Sequence, residues 1–127
     1  MTTIQIIGLP GSGKTTAIKQ YLRGTTSDIQ YLDIRSFQGR CRDRSFRRAI
    51  LQSEKIVIAE SACGTSVAST IIELKPAVHT VYRQFYDRDQ WLDPNYMSQL
   101  GTRMMPADYT IGTQAALVEL LQKILEG

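Results

Sequence analysis

The 127 residues hold only one histidine and two cysteines, the residue types of zinc sites and of thiol or imidazole catalysis. Cys41 and Cys63 have no metal-ligand spacing and His79 stands alone, so nothing suggests a zinc site or a Ser/His/Asp or Cys/His nucleophile set. His79 reads as a structural histidine of a core or strand edge. With no secretory leader, the cysteines are expected as reduced thiols and the protein as cytoplasmic. No apolar run approaches the ~20 residues of a membrane span, so no membrane partner is expected. Internal repeats and low-complexity tails are absent too. Charge of one sign is also scarce: 15 Lys and Arg face 12 Asp and Glu, a net charge of +3. Such an excess is too small for a general nucleic-acid coat. It is also local, because Arg40, Arg42, Arg44, Arg47 and Arg48 crowd one stretch, which favours a specific anion site. The length predicts one domain over 1–127, with a buried core but no room for a second, substrate-binding domain.

What is present is an alternation of strands and helices. "TIQIIGL" near the start is a short, Ile-rich run ended by Gly and Pro, the pattern of a buried strand. "KTTAIKQYLRG" follows as a helix with Ala17, Ile18, Tyr21 and Leu22 on one stripe and Gly24 at its end. Strands are predicted at 29–34, 55–61 and 78–82, with a weaker one at 107–111. Helices are predicted at 40–53, 65–76 and 113–127, the last capped by Thr113. The strands are apolar almost without a break. That suits a parallel sheet covered by helices on both faces. One segment breaks the rhythm: 83–106 is a long polar and aromatic connection of the kind that carries function. In such sheets ligands bind beyond the carboxyl ends of the strands.

The first strand–helix turn carries the chemistry. "GLPGSGKT" fits G-x-x-x-x-G-K-[ST] through Gly8, Gly13, Lys14 and Thr15. Its glycines let successive backbone N–H groups converge on phosphate oxygens at a helix N-terminus. Gly8, Pro10, Gly11, Ser12, Gly13, Lys14, Thr15 and Thr16 are therefore the nucleotide-binding candidates. Lys14 is expected to reach the β- and γ-phosphates, and Thr15 to give a hydroxyl to Mg²⁺. No guanine-binding N-K-x-D-like motif occurs, which makes ATP the expected nucleotide.

On these residues the chain resembles the P-loop NTPases, and most of all the small P-loop kinases of the nucleotide-, shikimate- and polynucleotide-kinase-like group. The acidic end of strand two, the arginine-bearing helix, the Walker-B-like strand and the late linker extend the resemblance along the chain. It implies a three-layer fold around a five-stranded parallel sheet in the order 2-3-1-4-5.

Phosphoryl transfer needs positive charge at the phosphates and a carboxylate near the acceptor hydroxyl. Asp33, ending strand two in "YLDIRS", takes the second role by resemblance. Arg35, two residues on and on the same side of an extended chain, is an acceptor-binding candidate. Glu60 ends strand three where a Walker B acid, usually Asp, serves the metal; the Glu leaves open whether it serves metal, acceptor or neither, and with Thr15 it is the metal-binding candidate. The following "SACG" lacks the acidic partner expected of motor-type ATPases. In the arginine helix, Arg40, Arg44 and Arg47 or Arg48 share a face, which suits an anionic acceptor or a solvated basic surface. Segment 83–106 stands where these kinases carry a lid. Its Arg83, Arg88 and Arg103 are candidates to close over the phosphates, Arg103 foremost, with Trp91 and Tyr96 as stacking or anchoring residues.

The expected protein is an ATP- and Mg²⁺-using, kinase-like phosphotransferase. Lys14, Asp33 and Arg103 are its catalytic candidates, and Asp33, Arg35, Arg40 and Arg44 hold a small anionic acceptor. A nucleotide or nucleoside is the first choice of acceptor and a nucleic-acid 5′ end the second, so nucleic acid is allowed but not favoured. The alternative is a nucleotide-binding regulatory or interaction protein with little or no transfer. A chain this short can borrow a surface from a second copy, and homo-oligomerisation stays open.

Overall fold

The computed structural model describes residues 2–8, 12–61, 67–75 and 107–127. Among them run the strands β1 (Thr3–Ile7), β2 (Ile29–Asp33), β3 (Ile56–Ser61), β4 (Thr70–Leu74) and β5 (Tyr109–Ile111). The helices are α1 (Lys14–Gly24), α2 (Arg42–Gln52) and α3 (Gln114–Glu126). All strand pairs are parallel and the sheet runs β2-β3-β1-β4-β5, the order the resemblance implied. No helix among the described residues is long and apolar enough to cross a membrane.

Side chains alternate across the sheet with period two, and the two faces build separate cores. Ile4, Ile6, Ile58 and Ile72 meet Ala17, Ile18 and Tyr21 of α1 and Leu117 and Leu121 of α3. On the other face Val57 and Ala59 meet Phe46 and Ile50 of α2. Phe37 closes that second core edge-on to Phe46, with ring centroids 5.7 Å apart. Burial on both sides explains why every residue of β1 is buried. The α3 terminus forms as its sequence predicts: Thr113 Oγ1 accepts from the Ala116 N–H at 3.1 Å.

One element differs in kind from its sequence reading. A helix was expected at 65–76, but Thr70–Leu74 is strand β4, paired to β1 through Ile4–Thr70 to Ile7–Glu73. The run Thr70-Ile71-Ile72 is β-branched throughout, and a strand buries both of its faces, whereas a helix would bury one stripe. Ile71, Ile72 and Leu74 are all buried. The Asp108 carboxylate then accepts from the Ile71 N–H at 2.8 Å, which ties the turn before β5 to β4. The strand expected at 78–82, with His79, lies outside the described residues.

Candidate nucleotide-binding site

Register alone brings the site together. In the parallel sheet Asp33 stands opposite Glu60, and Glu60 opposite Ile6, so both acids lie at the carboxyl edge where β1 runs into Gly8. Both also fall on the α1 side of the sheet, the face shared by Ile6 and Ile58. Thr15 lies in the first turn of α1, over the same edge.

The loop glycines are needed for close approach. A Cβ on Gly8 would sit 2.6 Å from the Leu74 carbonyl oxygen and 3.0 Å from Ser12 Oγ. Gly13, the N-terminal cap of α1, is left-handed at φ 96°, and a Cβ there would run into the Gln114 side chain at the start of α3. Ser12 Oγ is buried beside Gly8 and has no hydrogen-bond partner among the described residues. A cradle that a single Cβ would fill, with an orphaned hydroxyl inside it, fits a phosphate group. Lys14 arches back so that its Nζ donates to the Gly8 carbonyl at 2.8 Å. Burial lowers the Lys14 pKa to about 8; Glu60 opposes the shift and Arg35 adds to it.

Around Thr15 four side chains interlock. Thr15 Oγ1 lies 2.7 and 2.8 Å from the two carboxylate oxygens of Glu60. Arg35 Nη2 donates to Thr15 Oγ1 at 2.8 Å, to Asp33 Oδ2 at 2.6 Å and to Glu60 Oε2 at 3.1 Å. Arg35 Nε is 3.1 and 3.0 Å from the two Asp33 oxygens. Burial pushes the Glu60 carboxyl up, and the facing Asp33 adds to the effect. Burial would also raise Asp33, but its hydrogen bonds from Arg35 outweigh this and hold it below the usual carboxylate range. The same hydrogen bonds to Asp33 push the Arg35 guanidinium up. Nearby, burial also raises the Tyr31 phenol, whose OH lies 3.4 Å from Asp33 Oδ2.

Gly8, Ser12, Gly13, Lys14 and Thr15 thus share one edge with Asp33, Arg35 and Glu60, while Thr16 is exposed on the first turn of α1. Arg35 is not displayed along an extended strand. Ile34–Ser36 is a turn of 3₁₀ helix capped by Asp33, which accepts from the Arg35 N–H at 2.9 Å and folds the guanidinium back over Thr15. Asp favours such an Asx turn, but any residue other than proline can supply the N–H two positions on, so the sequence did not mark this reversal. Arg40 and Arg44 are exposed, and no ion pair or hydrogen bond joins them to the acids or the loop among the described residues. The contact of Gln114 with the loop, and the buried 2.6 Å hydrogen bond from Gln5 Nε2 to Ser61 Oγ, had no sequence signal. Pro10, Gly11 and the whole lid-like segment, Arg83, Arg88, Trp91, Tyr96 and Arg103 included, lie outside the described residues.

No protein-family model and no curated sequence matches the chain. Solved structures do. A shikimate kinase from Bacteroides thetaiotaomicron superposes with a TM-score of 0.69 at 16% identity, covering 99% of both chains. The chain has the fold of the small P-loop kinases. A gluconokinase from Sinorhizobium meliloti gives 0.67 at 12% identity over 98% of this chain and 94% of that one. A putative kinase from Chloroflexus aurantiacus gives 0.66 at 15% identity over 98% and 96%. At these identities the shared property is the fold, so the chemistry must be argued from the residues themselves.

Proposed function

We propose that the protein is a single-domain, cytoplasmic, ATP-binding and Mg²⁺-dependent phosphotransferase acting on a small anionic acceptor. A nucleotide or nucleoside is the leading acceptor and a nucleic-acid 5′ end the second. The observation that carries this reading is the convergence of Lys14 Nζ, Thr15 Oγ1, Asp33 and Glu60 at the carboxyl edge of the sheet, beside an orphaned hydroxyl in a glycine cradle. Gly8 to Thr16 hold the phosphates, with Lys14 as their cation and the N-terminal N–H groups of α1 as donors.

The Thr15 hydroxyl and the Glu60 carboxylate are hard oxygen donors suited to Mg²⁺. When bound, the ion supplies charge neutralisation to the phosphates. Asp33 takes the acceptor hydroxyl, orienting it and accepting its proton as the oxygen receives the γ-phosphoryl group and ADP departs. With Arg35 in place Asp33 is a weak base, so its orienting role dominates in that arrangement. Arg35, Arg40 and Arg44 bind the acceptor's negative charge, and Arg103, outside the described residues, is the remaining catalytic candidate.

A second reading, a nucleotide-binding regulatory protein with little transfer, is favoured by one feature: both Asp33 oxygens are already engaged by Arg35. An acceptor screen separates the two. ADP release is measured with ATP, Mg²⁺ and a panel of nucleosides, nucleotides, short oligonucleotides and small acids. Release that rises with one acceptor supports transfer. Tight nucleotide binding with no acceptor dependence supports regulation, and the lack of any nucleotide binding overturns both.

A further inference from the structure

Glu60 and Asp33 set two carboxylates side by side at the end of adjacent strands, and Glu60 is buried, its side chain only 3% exposed. Two such charges need a cation between them. A single atom provides it: Arg35 Nη2, within 3.1 Å of Asp33, Glu60 and Thr15 at once. The three oxygen ligands around it are a hydroxyl and two carboxylates, the donor set that a hard divalent ion takes. The guanidinium and such an ion would therefore compete for the same oxygens. Nor is Arg35 buried, because 67% of its side chain is exposed, and among the described residues its side chain is held by its polar contacts to Asp33, Glu60 and Thr15.

We propose that Arg35 is a tethered stand-in for the divalent cation. It occupies the cation position of the ligand-free protein, excludes free metal from it, and swings out when metal arrives together with nucleotide phosphates. This deepens the reading of the site as a nucleotide·Mg²⁺ site and rests on it. A stand-in keeps the buried acids neutralised between ligands, and it makes metal binding conditional on nucleotide. The negative charge of the phosphates supplies what free metal lacks, a second attraction strong enough to displace the guanidinium.

Two measurements test it. The first uses no nucleotide: Mn²⁺ is titrated into wild type and Arg35→Gln, and free Mn²⁺ is followed by electron paramagnetic resonance. Removing the competing charge is expected to tighten Mn²⁺ binding at least about tenfold, and Glu60→Gln in the Arg35→Gln background should abolish the gain. Equal affinities in wild type and Arg35→Gln overturn the proposal. The second measurement uses the unaltered protein, so it decides the matter even if the variant does not fold. The Arg35 Nε–Hε resonance is followed by ¹⁵N NMR while Mg²⁺ and ADP are added, with the Gly13 amide reporting nucleotide binding. The Arg35 resonance is expected to move to the position of a solvated arginine as the Gly13 amide shifts. A Gly13 shift with Arg35 unmoved overturns the stand-in but leaves the nucleotide site standing. A silent Gly13 amide overturns the nucleotide reading itself, and the Mn²⁺ titration still decides on Arg35.

Discussion

Nucleotide affinity should fall with rising pH in a range where the nucleotide itself no longer titrates. Burial holds the ligand-free Lys14 ammonium at a pKa of about 8, against 10.5 for an ordinary lysine. Phosphate oxygens beside it favour the charged form and raise the value again. Binding above the lowered pKa must therefore take up a proton, and affinity is lost by the fraction of Lys14 that starts out neutral. That factor is one plus ten to the power of pH minus pKa. Between about pH 7.5 and 9 it predicts a roughly eightfold loss of ADP affinity, with about half a proton taken up per ADP near pH 8. Isothermal titration calorimetry in two buffers of different ionisation enthalpy measures both quantities. Lys14→Arg, permanently charged, should flatten the profile even if it binds more weakly. The stability linkage has the matching sign. Folding disfavours the charged form of Lys14, so the ligand-free protein gains stability as pH rises from about 8 towards 10.5. An ADP affinity that holds constant from pH 7.5 to 9, without proton uptake, would refute the account of Lys14 as the buried phosphate cation.

Three further outcomes follow from the same structure. Asp33→Asn should slow transfer to the acceptor while leaving ATP binding largely intact; a fully active variant removes Asp33 from the acceptor site. Gly13→Ala should lower stability by about 1–3 kcal/mol for the left-handed backbone alone, with a further loss from the collision with Gln114. In thermal melts, adding Gln114→Ala should recover only the second part, and a Gly13→Ala protein as stable as wild type contradicts the geometry. Phe46→Ala should cost about 3–5 kcal/mol in denaturant unfolding, because Phe46 is fully buried at the centre of the α2 core. A loss under about 1 kcal/mol would mean that α2 does not pack on the sheet as described.

The parts of this protein legible in its sequence are those set by local pattern. The P-loop lies in one uninterrupted stretch between a strand and a helix, and Thr113 marks the start of α3 at its own position. Thr70–Leu74 failed because a short apolar run has no decisive period. Whether Ile71 and Ile72 lie on a helix or in a strand is decided by the slot between β1 and β5, a tertiary fact. The site divides in the same way. Asp33 and Glu60 were legible as acids ending strands. Their direct opposition depends on the β2–β3 register, which no single segment encodes. Arg35 was legible as a charge but not as a direction, because a 3₁₀ turn of three residues reversed the geometry an extended chain would have had.

That reversal changes the electrostatics of the whole pocket. Among the described residues of the ligand-free protein, the cations Lys14 and Arg35 stand against the carboxylates Asp33 and Glu60. The pocket therefore offers little net field to draw in a polyanion. Each cation is also engaged internally, Lys14 at the Gly8 carbonyl and Arg35 at the acids. Selectivity then comes from exchange: a ligand must replace internal contacts of both cations at once. Phosphate alone satisfies Lys14 but adds repulsion against Glu60. Metal alone satisfies Glu60 but is opposed by Arg35. On the proposed reading only the two together leave these charges paired, and the pocket would then select the metal–nucleotide complex over either component. Thr15, touching both Glu60 and Arg35, stands at the point of exchange, so Thr15→Val should weaken the coupling between metal and nucleotide more than it weakens nucleotide binding without metal. A Thr15→Val protein whose ADP affinity responds to Mg²⁺ as strongly as wild type would break this chain of reasoning at its central residue.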